Sequence, residues 1–149
     1  MLKQKLQEEL KQSMLSRNEV KTSVLRMLLS AVNYYEISKG GAGYSATDED
    51  VLSVVQKEVK QRKDSIEQFQ MAGRQDLVDK ETKELELLQK YLPEQLNEQA
   101  LKTLISQTIK EVGATSMADM GKVMGALMPK IKGKAEGGTV ARIVKEELS

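Results

Sequence analysis

The chain is expected to be all-α, with an N-terminal bundle of about four helices over residues 1–92 and a small three-helix domain over residues 93–149. Three observations predict this. Apolar residues recur at spacings of three and four along most of the 149 residues, the period of one helix face. Only two prolines interrupt the chain, and Lys, Glu, Gln and Leu are abundant. Hydrophobic residues make up 40% but aromatics only 3%, so any core is built from Leu, Val, Ile and eight Met, which interlock as aliphatic ridges between helices.

In the first unit, Leu2, Leu6, Leu10 and Met14 mark an amphipathic helix that breaks at Ser16-Arg17-Asn18. Asn18 is placed to cap the next helix, since its side chain can accept a first-turn N–H. That helix has one seam at Val20, Val24, Leu28, Ala31 and Tyr35 and a second at Leu25, Leu29 and Val32. So broad an apolar face predicts a central helix covered on more than one side. "KGGAGYSA" predicts a loop, and Thr47 an N-cap followed by Asp48, Glu49 and Asp50 at the positive end of the helix dipole. Val51, Val55, Val59, Ile66 and Phe69 carry the third helix to about Met71, with Gly73 ending it. Its face "KEVKQRKDSIEQ" mixes both charges and reads as solvated. A fourth helix carries Leu77, Leu85, Leu88 and Leu92 and stops before Pro93, where the domain boundary is expected.

In the second unit, Leu101, Leu104, Ile105, Ile109 and Val112 predict a helix capped by Asn97 and stopped by Gly113. Ser116 is the expected N-cap of the next, with Met117, Met120, Met124, Leu127 and Ile131 on one face. Pro129 either kinks that helix or marks its last turn. Gly121 and Gly125 read as a site of close helix packing. The last helix carries Val140, Ile143, Val144 and Leu148. Three helices this short are marginal alone in water and must share one core.

Composition also limits the chemistry. There is no Cys and no His, which excludes disulfides, thiolate nucleophiles, Cys/His zinc sites and His-based triads. Ser106 or Ser116 with a lysine is conceivable as nucleophile and base, but they read as a helix-face residue and a cap. Tyr34-Tyr35 reads as helix surface rather than a base-stacking platform. No cofactor or metal is implied and no catalytic residue is assigned. The N-terminus, with Glu8 and Glu9, resembles neither a signal nor a transit peptide. No run approaches the roughly 18 apolar residues of a membrane span. A cytoplasmic protein without membrane association is expected.

Overall charge is balanced, 23 basic residues against 22 acidic, so nucleic-acid attraction requires a local patch. One lies in "KVMGALMPKIKGKAEGGTVARIVKEEL". Lys122, Lys130, Lys132, Lys134, Arg142 and Lys145 face only Glu136 along the chain from Met120 to Lys145, a local net of +5. Gly133, Gly137 and Gly138 admit close backbone approach, and the start of the last helix near Thr139 adds N–H donors. Lysines so placed read phosphate rather than base sequence. A structural reading stands beside this one: Gly133 caps a helix, Gly137 permits the turn into the next, and lysines near a helix C-terminus complement its dipole. The spacing is not that of the nucleotide-binding phosphate loop. A second functional reading is a protein-binding adaptor using the adaptable Met117, Met120, Met124 and Met128 face, against which stands the use of these Met in the core.

The same stretch, together with "VLRMLLSAVNYYEI", "KEVKQRKDSIEQF" and "ELELLQKYLPEQL", resembles the GatB/YqeY family over the whole chain. That family comprises stand-alone YqeY-like proteins and the C-terminal tail of the GatB component of the glutamine-dependent tRNA amidotransferase. The resemblance implies a tail that helps to hold tRNA, or a tRNA-bearing complex, while other domains do the chemistry. The amidotransferase's phosphorylation cradle, metal site and amidase component have no counterpart here. The label of a carbon–nitrogen ligase with glutamine as amido-N donor therefore belongs to the larger relative, and a translation-related recognition module is expected instead. Glu136 departs from the family's usual Asp, and Glu is the poorer N-cap.

Overall fold

The computed structural model describes residues 1–149. It contains seven α-helices and no strand: α1 (Leu2–Leu15), α2 (Glu19–Gly40), α3 (Asp48–Met71), α4 (Gln75–Gln89), α5 (Glu98–Val112), α6 (Met120–Ile131) and α7 (Gly137–Leu148). The chain divides into two compact units, Met1–Leu92 and Pro93–Ser149.

In the first unit α2 is the central helix. Val24, Leu25, Leu28, Leu29 and Val32 are buried against Leu6 of α1, Val51, Val54, Val55 and Val59 of α3, and Leu88 of α4. Five positions assigned to the apolar stripes, Met14, Val20, Ile66, Phe69 and Leu77, lie outside this core, and two of them are exposed. Met14 is 50% exposed and Val20 45%. A spacing of four overshoots a helical turn by about 40° per step, so a stripe followed too far rotates off the core. The cap at Asn18 forms, its side chain accepting the Lys21 N–H at 3.1 Å. Arg17 takes the left-handed φ of 57° in the break before it.

The glycine-rich segment differs from the expected loop. α2 continues through Lys39 and Gly40, and a short 3₁₀ turn, Gly41–Gly43, follows. Gly40 is required for the reversal, because a Cβ there would lie 2.8 Å from Cβ of Tyr44. The returning Tyr44 donates its hydroxyl to Asp50 at 2.6 Å, and Tyr35 donates to the same carboxylate at 2.9 Å. Asp50 also accepts the Thr47 N–H, while Thr47 accepts from Asp50, a reciprocal cap that starts α3. Close by, Glu36 is buried, held by the Ala46 N–H at 2.8 Å and by Lys3 Nζ at 2.7 and 2.8 Å.

These bonds have a pH consequence. The Tyr44 hydroxyl first, and then the Thr47 N–H, hold the Asp50 carboxyl well below its ordinary value. Stability from a depressed carboxyl is complete above its unfolded pKa near 4 and is lost as pH falls through the lower folded value. Urea unfolding of the first unit at stepped pH should therefore show a steep loss below about pH 4. Asp50→Asn should flatten that limb, and an unchanged limb would reject the assignment.

α3 ends at Met71, and Gly73, just beyond it, turns the chain with a φ of +69°. Its charged face is not wholly solvated. Arg62 is only 13% exposed and lies 3.3 Å from Glu81 and 3.2 Å from Glu84 of α4, with its Nη2 on the sulfur of Met27. α4 also ends earlier than expected, at Gln89 rather than Leu92. Tyr91 and Leu92 leave the helix to pack on the core, where the Tyr91 hydroxyl donates to Glu9.

In the second unit Leu101 and Ile105 of α5, Val123, Leu127 and Ile131 of α6, and Val140, Ile143, Val144 and Leu148 of α7 form one core. Asn97 caps α5 by accepting the Ala100 N–H at 2.7 Å, and Gly113 ends it in the left-handed region. Ser116 is not the cap of α6: its side chain makes no capping bond, and a 3₁₀ turn, Met117–Asp119, intervenes. The Asp119 carboxylate instead accepts the Thr115 N–H at 3.0 Å, closing that turn so that α6 begins at Met120. Pro129 lies exposed in the last turn of α6. Gly121 and Gly125 do not mediate close packing, since a Cβ at either would have no neighbour within 4 Å.

Candidate phosphate-contacting surface of the C-terminal unit

The approach to α7 is shaped by one buried glycine. Gly133 turns the chain with φ +76°. Its carbonyl accepts from Gln95 Nε2 at 2.7 Å, and the Lys134 carbonyl accepts the Leu96 N–H at 2.9 Å. The backbone at 133–134 is thus clasped by the segment preceding α5, while the Lys132 and Lys134 side chains stay exposed. Lys134 borders a hollow of about 310 Å³ with Glu94, Gln95, Leu96, Asn97 and Ala100.

Gly137 and Gly138 are the first two residues of α7 and are exposed. No side chain caps this helix start. A Cβ at Gly137 would meet nothing within 4 Å, and one at Gly138 only the Glu136 carboxylate at 3.9 Å. Neither glycine has a positive φ, so neither is needed for the turn. Further along α7, Gly138, Arg142 and Lys145 follow at spacings of four and three and share its outer face.

Arg142 and Lys130 are engaged by acids of their own unit. Arg142 donates to Glu98 at 3.0 Å and to Glu146 at 2.8 Å, which holds its guanidinium above its ordinary pKa. Glu98 is correspondingly lowered, chiefly by that bond. Lys130 Nζ lies 2.8 Å from Glu111. Because Glu98 and Glu111 are 13 residues apart on α5, they are about 20 Å apart along its axis and roughly 140° apart around it. Arg142 and Lys130 therefore reach opposite flanks of α5. Lys122, near the start of α6, contributes a smaller part to the lowered carboxyl of Asp119, which the Thr115 N–H holds down first.

The cations thus form two groups. Lys132 and Lys134 lie in the turn that leads into α7, Arg142 and Lys145 lie on the exposed face of α7, and Lys122 and Lys130 belong to α6. The Arg142–Glu146 pair could be read from its spacing of four. Glu98 and Glu111 could not, because they arrive from another helix. The methionine face divides too: Met120 and Met124 pack on the core, whereas Met117 and Met128 are exposed. Ser106 lies 3.4 Å from a carboxylate, that of Glu147, rather than pairing with a lysine. No group of three or more acidic side chains is placed to hold a metal ion. No helix is long and apolar enough to cross a membrane.

Fold and surface together define an all-helical protein of two units, the second a small three-helix bundle with cations at the start of its last helix. The profile of the YqeY-like protein family matches residues 3–148, and the chain belongs to that family. An uncharacterised protein of Schizosaccharomyces pombe is 39% identical over 60% of this chain and 70% of its own length. Altered inheritance of mitochondria protein 41, mitochondrial, of Pyrenophora tritici-repentis is 34% identical over 88% of this chain and 71% of its own length. The Saccharomyces cerevisiae protein of the same name is 37% identical over 58% of this chain, which spans 46% of that relative.

Proposed function

We infer that the protein is a non-catalytic recognition module whose C-terminal unit contacts the phosphates of tRNA, or of a tRNA-bearing complex. The contact runs through Lys132, Lys134, the opening glycines of α7 and the Arg142–Lys145 stripe. The supporting observation is the start of α7. An α-helix leaves its first-turn N–H groups without intrahelical partners. Here no side chain caps them, two glycines leave the approach open, and two exposed lysines precede them. Lys130 and Lys122 are secondary in this reading, since both belong to α6 rather than to α7 or the turn that leads into it. The compartment assigned is the cytoplasm; the mitochondrial label belongs to the fungal relatives by name.

Filter binding of bulk tRNA across a salt series tests this. With about three phosphates neutralised, log affinity should fall against log salt with a slope of roughly −2 to −3. Lys132→Ala with Lys134→Ala should weaken binding and flatten the slope by about 2. Lys130→Ala should change it little. A flat salt response, or an unchanged slope in the Lys132/Lys134 variant, rejects the reading.

The second reading, a translation-related protein adaptor, draws on the exposed Met117 and Met128. Nuclease-resistant capture that is lost in Met117→Ser/Met128→Ser would favour it over RNA.

A further inference from the structure

The first unit carries a largely exposed face that its own packing uses only at Met27, whose sulfur meets Arg62. Along α2, Val20, Ser23, Met27, Ser30, Tyr34 and Ile37 follow one another at alternating spacings of three and four. That is the repeat of a helix seam that meets another helix. None of the six is charged. Val20 is 45% exposed, Tyr34 75% and Ile37 67%; Ser23 and Ser30 are exposed, and Met27 is half-buried. The opposite side of the same helix supplies the core residues Val24, Leu25, Leu28, Leu29 and Val32. α2 is thus apolar on two sides, one covered throughout by its own unit and the other only at Met27.

We propose that this stripe pairs with its own counterpart on a second copy of the chain, the two α2 helices lying antiparallel across a two-fold axis near residues 28 and 29. The order of side-chain sizes selects that partner and direction. In this register Val20 meets Ile37 of the second copy, Ser23 meets Tyr34, and Met27 meets Ser30, each contact occurring twice by symmetry. A small residue faces a large one in four of the six layers. A parallel pair would set Tyr34 on Tyr34 and serine on serine, crowding one layer and leaving gaps in two.

Two further features agree with the antiparallel register. Beside Val20 and Ser23 lies a hollow of about 380 Å³, walled by α4 residues including Asp79, Lys80 and Lys83. Tyr34 and Ile37 of the second copy fall at that height on the helix. Charge is complementary as well. α2 has Glu19 in its first turn and Lys39 in its last, so antiparallel helices bring unlike ends together and oppose their dipoles. Arg26, on the flank, comes alongside the uncharged amide of Asn33 rather than a like charge. One helix pair buries less than the roughly 1,600 Å² of a standard interface, so the dimer is a weak one.

Sedimentation equilibrium over a concentration series reaching the millimolar range should show the mass rising toward twice the monomer. Tyr34→Glu/Ile37→Glu should remain monomeric throughout with an unchanged helical circular dichroism spectrum, because both residues are exposed. Direction is read separately, and the absence of native cysteine makes the experiment clean. Val20→Cys and Ile37→Cys chains, one of them tagged, are oxidised alone and as a mixture. The mixed 20–37 disulfide should form in large excess over either homodimer. A monomer at every concentration overturns the pairing, and so does preferential 20–20 or 37–37 cross-linking.

Discussion

Arg62→Met is expected to destabilise the N-terminal unit by about 2–4 kcal/mol, far more than loss of an exposed charge would. The side chains of Glu81 and Glu84 are only 17% and 11% exposed, and Arg62 is the cation between them. Its Nε makes no aligned hydrogen bond with either, so the attraction is mainly that of charges 3.2–3.3 Å apart. Removing the guanidinium leaves two largely buried carboxylates without the cation that lies beside both. Adding Glu81→Gln and Glu84→Gln to the Arg62→Met variant should therefore recover much of the loss. Urea unfolding followed by circular dichroism measures both steps. A single-variant loss under about 0.5 kcal/mol would place the cluster with ordinary surface pairs and dispose of this account.

Ile143→Ala is the second large effect, expected to cost about 2–4 kcal/mol in the C-terminal unit. Ile143 is fully buried in a core of nine apolar side chains. A domain of this size has a total stability of only a few kcal/mol, so the variant should leave α5–α7 largely unfolded at equilibrium. Amide hydrogen exchange resolved along the chain reads this out, with the amides of α7 losing most of their protection. Wild-type protection in α7 would show that the unit tolerates the cavity and that its stability lies elsewhere.

What the sequence made legible was mostly local. Asn18, Thr47 and Asn97 cap helices as expected because a cap depends on atoms three residues away. Gly73 and Gly113 stop helices because left-handed backbone is a property of the residue itself. The departures have a common origin in tertiary geometry. Val20 and Met14 belong by spacing to apolar stripes that rotate away from the core. Arg62 stands within a mixed-charge run whose sequence has no sign that two glutamates of α4 lie beside it. The +5 of the C-terminal stretch ignores Glu98 and Glu111, which are distant in the chain and adjacent in space. The α7 start was legible from "GKAEGGT", because glycines and lysines ahead of an apolar-periodic run are sequence features, but that Gly137 is not needed for the turn was not. Which of the lysines is already engaged is not.

The clasp of Gln95 and Leu96 on residues 133 and 134 has a consequence for where the tail really begins. A fragment started at Asn97 would retain all three helices and the nine buried core side chains, yet it would lose Leu96, which packs on that core, and two tethers of the lysine-bearing turn. The peptide just after Pro93 is therefore a working part of the tail, a strap that holds the cation-bearing bend in shape rather than mere cord between two bodies. Shortening or stiffening it would be felt first at residues 133 and 134, to which it is hydrogen-bonded.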